Sequence, residues 1–326
     1  MGTAPQKAVT DKRIQLAKIL VATDFSPVSH RALDYAISLA RRYDSHIFLT
    51  HVISADGYPL AAPEVTVGLA ETQRRNAENK IQEMVFSGKL SDVPYDVLVE
   101  EGGLWPAIQK VIERQGIDLV VVGTHGIGAV QKLVIGSGAE QIFRQCPQPV
   151  LTVGPRVDGG VQPNVVFKHI LFPCDFGVGC KREAAYAFSI GQEHDATVTL
   201  LHVVHHLEDY SDEGLTLKRE EVKRRLEDLA PVGAETGCKV ELRLTVGAAA
   251  TEILHYAEET KADLIVMGAK ARSGLAGHVP GTTAYRVVSK AHCPVLTVRT
   301  QAERVKERAR EAAPLLKYIR PGWAKT

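Results

Sequence analysis

Apolar residues in this chain follow two alternating patterns: short continuous runs, and longer stretches in which they return every three or four positions. The runs Ile19 to Thr23, Ile47 to Val52, Tyr95 to Val99, Leu119 to Gly123 and Val150 to Val153 predict strands. Between them, Ala32, Tyr35, Ala36, Leu39 and Ala40, and later Ile108, Val111 and Ile112, keep the spacing of a helix with one buried face. Leu119-Val120-Val121-Val122 is apolar at every position, which predicts a strand covered on both faces by helix layers. A second series follows, near Ile170 to Pro173, Val198 to Val203, Val240 to Leu244, Leu264 to Gly268 and Val295 to Val298. Both series read as βαβ units, and so as an α/β fold with parallel sheets.

The second series is a copy of the first. Pro149-Val150-Leu151-Thr152-Val153 recurs letter for letter as Pro294-Val295-Leu296-Thr297-Val298, 145 residues later. Gly136-Ser137 matches Gly281-Thr282 at the same offset, whereas Asp24-Phe25 and His51-Val52 match Asp175-Phe176 and His202-Val203 at an offset of 151. The chain therefore divides into an extension at 1–16, domains at 17–156 and 166–300, a Gly- and Pro-containing linker at 157–165, and a tail at 301–326. The tail holds seven Lys/Arg against three acids, and Pro314 interrupts its helical start.

Composition narrows the classes. The 326 residues are 45% hydrophobic, and 39 basic residues stand against 38 acidic ones, a net charge of +1. Such a chain has material for substantial cores and carries no electrostatic footprint for nucleic acid or an anionic membrane. The N-terminal stretch lacks an apolar signal segment and no run is long enough to span a bilayer, so a cytoplasmic protein is expected. The five cysteines are odd in number and lack paired zinc-type spacing, which argues against a disulfide framework or a structural metal and for reduced thiols.

The candidate chemistry lies where the fourth run ends. It passes into Gly123-Thr124-His125-Gly126-Ile127-Gly128, and after nine residues that follow Gly126 come Gly136-Ser137-Gly138 and the helical stretch Ala139 to Arg144. Glycines allow backbone N–H groups close to phosphate oxygens, and a Ser at a helix start adds a hydroxyl to the positive dipole end. Other constellations are weaker. His202, His205, His206 and Asp209 have no counterpart cluster in the first copy and are expected to be surface or scaffold residues. Asp24, Ser26 and His30 are near in sequence, which does not establish the geometry of a triad, and Cys174, beside Asp175, is expected to be a buried small hydrophobe.

Gly123-x2-Gly126-x9-Gly136-Ser137, with Ile117 to Val122 before it and Cys146 to Val153 after, resembles the ATP-binding signature of the universal stress protein family. The resemblance covers nearly the whole chain as two tandem copies. It implies two doubly wound domains, each a five-stranded parallel sheet in the order 3-2-1-4-5 with helices on both faces. It also implies ATP, with Mg²⁺, beyond the carboxyl ends of strands 1 and 4, where that order reverses and open α/β sheets take their ligands. Carried over residue by residue, Thr23 and Asp24 border the adenosine and Val52 its adenine. Gly123, Thr124 and Gly126 line the ribose and phosphate path, and Gly136 and Ser137 hold the phosphates. Asp175, Val203, Gly268, Gly281 and Thr282 form a weaker second site, in which Ala271 replaces Gly126 between Lys270 and Arg272.

The resemblance further implies a nucleotide-responsive regulator or binding protein of stress physiology. Family domains resemble dimers joined through strand 5, so the two copies are expected to pair with each other, with homo-oligomers also open. No Gly-x4-Gly-Lys-Ser/Thr loop and no water-positioning base are evident, which favours binding over turnover. The alternatives are a slow ATP hydrolase or nucleotidyl-transfer enzyme of related fold, and a structural interaction protein with empty pockets.

Overall fold

A computed structural model of the chain describes residues 14–53, 63–124, 135–157, 165–204, 212–230, 237–269 and 282–299. The first half runs β1 (Lys18–Ala22), α1 (Pro27–Tyr43), β2 (His46–Ile53), α2 (Pro63–Phe86), β3 (Tyr95–Glu101), α3 (Leu104–Gln115), β4 (Leu119–Gly123), α4 (Ser137–Gln145) and β5 (Val150–Val153). The second repeats it as β6 (His169–Pro173), α5 (Cys180–His194), β7 (Thr197–Val204), α6 (Asp212–Glu227), β8 (Lys239–Val246), α7 (Ala249–Thr260), β9 (Leu264–Gly268), α8 (Thr283–Lys290) and β10 (Val295–Val298). The strands join one ten-stranded sheet in the order β3-β2-β1-β4-β5-β10-β9-β6-β7-β8. Every pairing is parallel except that of β5 with β10.

Strand alternation divides the core into two layers, each continuous through both halves. Val21, Leu49, Val121 and Leu151 face the layer shared with Ala36 of α1, Ala187 of α5 and Phe172 of β6. Leu20, Phe48, Val120 and Val150 face the layer of Ile108, Ile142, Ile253 and Val287, from α3, α4, α7 and α8. This two-sided cover is the reason that β4 is apolar at every position.

The joint between halves is antiparallel, with Leu151 opposite Leu296 and Thr152 opposite Val295. The threonines repeated in Pro-Val-Leu-Thr-Val serve this joint. Thr152 Oγ1 donates to the Val295 carbonyl at 3.1 Å, and Thr297 Oγ1 donates to that of Val150 at 3.2 Å. Beyond each strand an arginine reaches the opposite half. Arg156 donates to the Lys290 carbonyl at the end of α8 at 3.0 Å, and buried Arg299 donates to the Phe143 carbonyl in α4 at 2.9 Å and to that of Arg144. Each half thus satisfies carbonyls that the other half's last helix leaves open.

A buried histidine is expected to make the fold acid-sensitive. His194, the last residue of α5, accepts from the Phe167 N–H through Nδ1, and its Nε2 has no partner among the described residues. Burial, with the positive charges of Arg42 and Lys168 nearby, lowers its pKa to about 4. An unfolded chain takes up that proton near pH 6.5, before the folded one does, so the stability present above 6.5 is lost as pH falls towards 4. His194→Phe is expected to flatten the thermal midpoint between pH 6.5 and 4 relative to wild type. Equal slopes in the two proteins would contradict this assignment.

Candidate functional site

At the carboxyl end of β1 the chain turns into α1 through a dense set of local bonds. Thr23 Oγ1 accepts the Phe25 N–H at 3.1 Å and lies 3.1 Å from Ser29 Oγ. Asp24 Oδ1 accepts the Ser26 N–H at 3.0 Å, while Ser26 Oγ caps α1 by accepting the Ser29 N–H at 3.1 Å. Ser26 is therefore committed as a helix cap, and Thr23 is buried and turned inward. Asp24 is exposed.

Phe25 adopts φ 65°, a left-handed conformation that a bulky side chain rarely takes. The turn lays its ring against His51 with centroids 4.5 Å apart, under Lys80 Nζ at 5.3 Å. His51 Nδ1 in turn donates to the Thr23 carbonyl at 2.8 Å, which fixes the ring's tautomer, and burial holds its pKa below the usual range. Residues from β1, α1, β2 and α2 thus hold the strand end rigidly. Strain of this kind concentrates at functional sites.

Val52 stands half-buried near the end of neighbouring β2, and Gly123 ends β4 on the other side of β1. A Cβ on Gly123 would lie 2.9 Å from Ser29 N and 3.0 Å from Val28 C. The glycine is required here by the close approach of α1, a reason that the spacing of glycines does not carry. Thr124 is fully buried, donates its N–H to the Val153 carbonyl at 2.8 Å and accepts the Gly136 N–H at 2.7 Å. Its role in this structure is to bring Gly136 to the end of β4.

Gly136 is the N-cap of α4, and it makes no side-chain cap bond. Glu140 N–H is the first to bond back, to Gly136, so the N–H groups of Ser137, Gly138 and Ala139 have no partner within the helix. Ser137 is exposed at the first helical position. The arrangement is receptive to an anion. Gly126 lies outside the described residues, as do Gly281, Ala271, Lys270 and Arg272.

The second half keeps the frame and changes its chemistry. Phe176 again has positive φ, 56°, with its ring 4.6 Å from His202 and the Arg225 guanidinium 4.1 Å above it. His202 Nδ1 donates to the Cys174 carbonyl at 2.8 Å, as His51 does to Thr23. Of His202, His205, His206 and Asp209, only His202 is among the described residues, and this is its position. Asp175 is exposed and accepts the Gly177 N–H at 2.7 Å, and Val203 is half-buried in β7.

Three differences alter the site. α8 starts one residue later than α4, so that its N-cap is Thr282, the counterpart of Ser137, whose Oγ1 accepts the Tyr285 N–H at 3.2 Å and so occupies the helix end that α4 leaves open. Buried Glu183, at the place of Ala32, packs its carboxylate against Gly268 at the end of β9. Finally, Cys174 and Cys180 form a disulfide, which corrects the expectation of reduced thiols throughout. Cysteine count and zinc spacing could not reveal it, but the 151-residue offset places these two cysteines on Thr23 and Ser29, the hydroxyl pair of the first half. Cys146, Cys238 and Cys293 stand outside the disulfide, and burial pushes the Cys293 thiol up to about 12. No helix among the described residues is long and apolar enough to cross a membrane.

Two doubly wound α/β domains in one chain, with candidate sites at the carboxyl ends of their strands, define the class to which this molecule belongs. The sequence model of the universal stress protein family matches residues 16–154 and 167–299. The chain belongs to that family. A universal stress protein of Methanocaldococcus jannaschii is 35% identical over 145 residues, 41% of this chain and 83% of its own length. One from Mycolicibacterium smegmatis is 25% identical over 294 residues, 86% of this chain and 96% of its own. Among solved structures, a universal stress protein from Archaeoglobus fulgidus superposes with a TM-score of 0.66 at 19% identity, covering 87% of this chain and 99% of the other. That likeness is one of fold.

Proposed function

We propose that this protein binds ATP in its first domain, at the carboxyl ends of β1 and β4, and acts as a nucleotide-responsive regulator or binding protein rather than a fast hydrolase. The observation that carries this reading is the contrast between the two last helices. In α4 a glycine cap leaves three N–H groups and the Ser137 hydroxyl facing out, whereas Thr282 occupies the start of α8 with its own side chain. Hydrogen bonds to a charged oxygen contribute about 1.5–3 kcal/mol each, so a few at the α4 end suffice for useful affinity.

In this reading Gly136 and Ser137 hold the phosphates and the Asp24 carboxylate, unfavourable beside phosphate, takes a nucleoside donor. Thr23 and Thr124 position the loops from within. Gly123, with Gly126 beyond it, lines the path between the nucleoside and the phosphates, and Val52 flanks the base. Mg²⁺ would enter on the phosphates and offset their charge. No side chain here is assigned to it.

Glu183 makes the second domain a poorer host for an anion, because its carboxylate lies where β9 ends. Calorimetric titration of the nucleotide-free chain with ATP and Mg²⁺ is expected to give one site per chain. Ser137→Asp, which sets a carboxylate at the open end of α4, is expected to weaken binding at least about tenfold, the loss of one charge-assisted bond or more. Gly126→Asp is expected to do the same. Full affinity in both variants, or two equal sites in wild type, would refute this assignment.

A further inference from the structure

The two halves differ most sharply at the tie between the first strand and the first helix. In the first half Thr23 and Ser29 are 3.1 Å apart through their hydroxyls, and Ser26 caps α1. In the second half Cys174 and Cys180 occupy the places of Thr23 and Ser29, and Gly177 occupies that of Ser26. The helix cap is Gly179, with no side-chain bond. The disulfide therefore replaces the hydroxyl pair, across a loop that contains two glycines, while the Cys180 N–H, the counterpart of the capped Ser29 N–H, donates to the Gly177 carbonyl at 3.1 Å.

We propose that Cys174 and Cys180 are a reversible redox pair, whose disulfide holds the loop after β6 and the first turn of α5 in place and whose reduction releases them. The surroundings suit thiol chemistry. Cys174 Sγ accepts the Phe176 N–H at 3.2 Å, which stabilises negative charge on that sulfur. Cys180 is the first residue of α5, a helix of 15 residues, so its sulfur stands at the positive end of the dipole. Both cysteines are buried, and the loop that carries Val178, 93% exposed, lies between them in the sequence.

With hydrogen peroxide the step balances. One cysteine thiolate attacks a peroxide oxygen, the O–O bond breaks, and a sulfenic acid and water result once the departing hydroxide is protonated. The second thiolate attacks that sulfur, forms the S–S bond and releases a second water. Two thiols lose two electrons and two protons, and peroxide is reduced to two waters. A dithiol reverses the state by thiol–disulfide exchange, ending as a disulfide itself and returning both cysteines as thiols.

The test uses the full chain, reduced with dithiothreitol or treated with hydrogen peroxide after reduction. Thiol titration after denaturation is expected to find five thiols in the reduced chain and three in the oxidised one, with peptide mapping placing the lost pair at Cys174 and Cys180. Hydrogen exchange at residues 176–182 is expected to be at least about tenfold faster in the reduced state, with α1 unchanged and protection restored on reoxidation. Cys174→Ser/Cys180→Ser is expected to exchange at the fast rate under both conditions. Cys174→Thr/Cys180→Ser, which rebuilds the hydroxyl pair of the first half, keeps the fold within reach and is likewise expected to ignore redox state. Three results would overturn the proposal: five thiols after peroxide, a disulfide mapped elsewhere, or equal exchange in both states, which marks a passive staple.

Discussion

Leu151→Asp is expected to split the unfolding of this chain into two transitions. Leu151 is buried at the antiparallel joint, opposite Leu296, in the core layer that both halves share. A carboxylate there faces apolar neighbours with no cation described beside it, and an uncompensated buried charge costs roughly 3–5 kcal/mol. The cost falls on the joint, while each half keeps its remaining strands and both helix layers. Calorimetry is the measurement: one cooperative transition is expected for wild type and two for the variant. Leu151→Ile, which conserves volume, is expected to cost less than about 1.5 kcal/mol and to leave one transition. A single transition with an unchanged midpoint in Leu151→Asp would contradict the role given to this joint.

Arg299→Ala is expected to lower the denaturant midpoint by an amount equivalent to about 2–5 kcal/mol. The guanidinium bonds the carbonyls of Phe143, which is buried, and Arg144, which is partly so, at the end of α4, and removing it leaves both acceptors without this donor; each unsatisfied buried group costs about 1–3 kcal/mol. Arg299→Lys is expected to recover little, because an ammonium on a flexible stem does not reproduce a planar fork of donors. Arg156→Ala removes a bond to the Lys290 carbonyl and a 3.9 Å ion pair with Glu258, both at an exposed position, and is expected to cost less. Equal losses in Arg299→Ala and Arg156→Ala would show that burial of the first arginine is not what matters.

The strands were legible because burial on both faces writes itself as unbroken apolar runs. Leu119–Gly123, Val150–Val153, Leu264–Gly268 and Val295–Val298 coincide with the runs read from the sequence. The outer strands extend further than their runs, through His46, Thr197 and Lys239, because hydrogen bonding along a strand continues past the last buried side chain. The glycines of the candidate site were visible, but the reason for one was not. Gly123 answers to the backbone of α1, a neighbour that no spacing rule names. Arg299 illustrates the same limit: its partners are about 155 residues away, and nothing local distinguishes it from a surface arginine. The cysteine pair lay between these cases. It was hidden from a count of thiols, yet open to superposition of the chain on itself.

Joining β5 to β10 within one chain also decides how the sheet ends. The strand edge that an isolated half would offer is taken by a neighbour tethered to it, whose local concentration does not change when the protein is diluted. The remaining margins are β3, with Asp96, Glu100 and Glu101, and β8, with Lys239, Glu241 and Arg243. Charges at a margin oppose the addition of further strands. The internal joint thus takes up one edge of each half, and the charges on the two that remain work against growth of the sheet beyond ten strands.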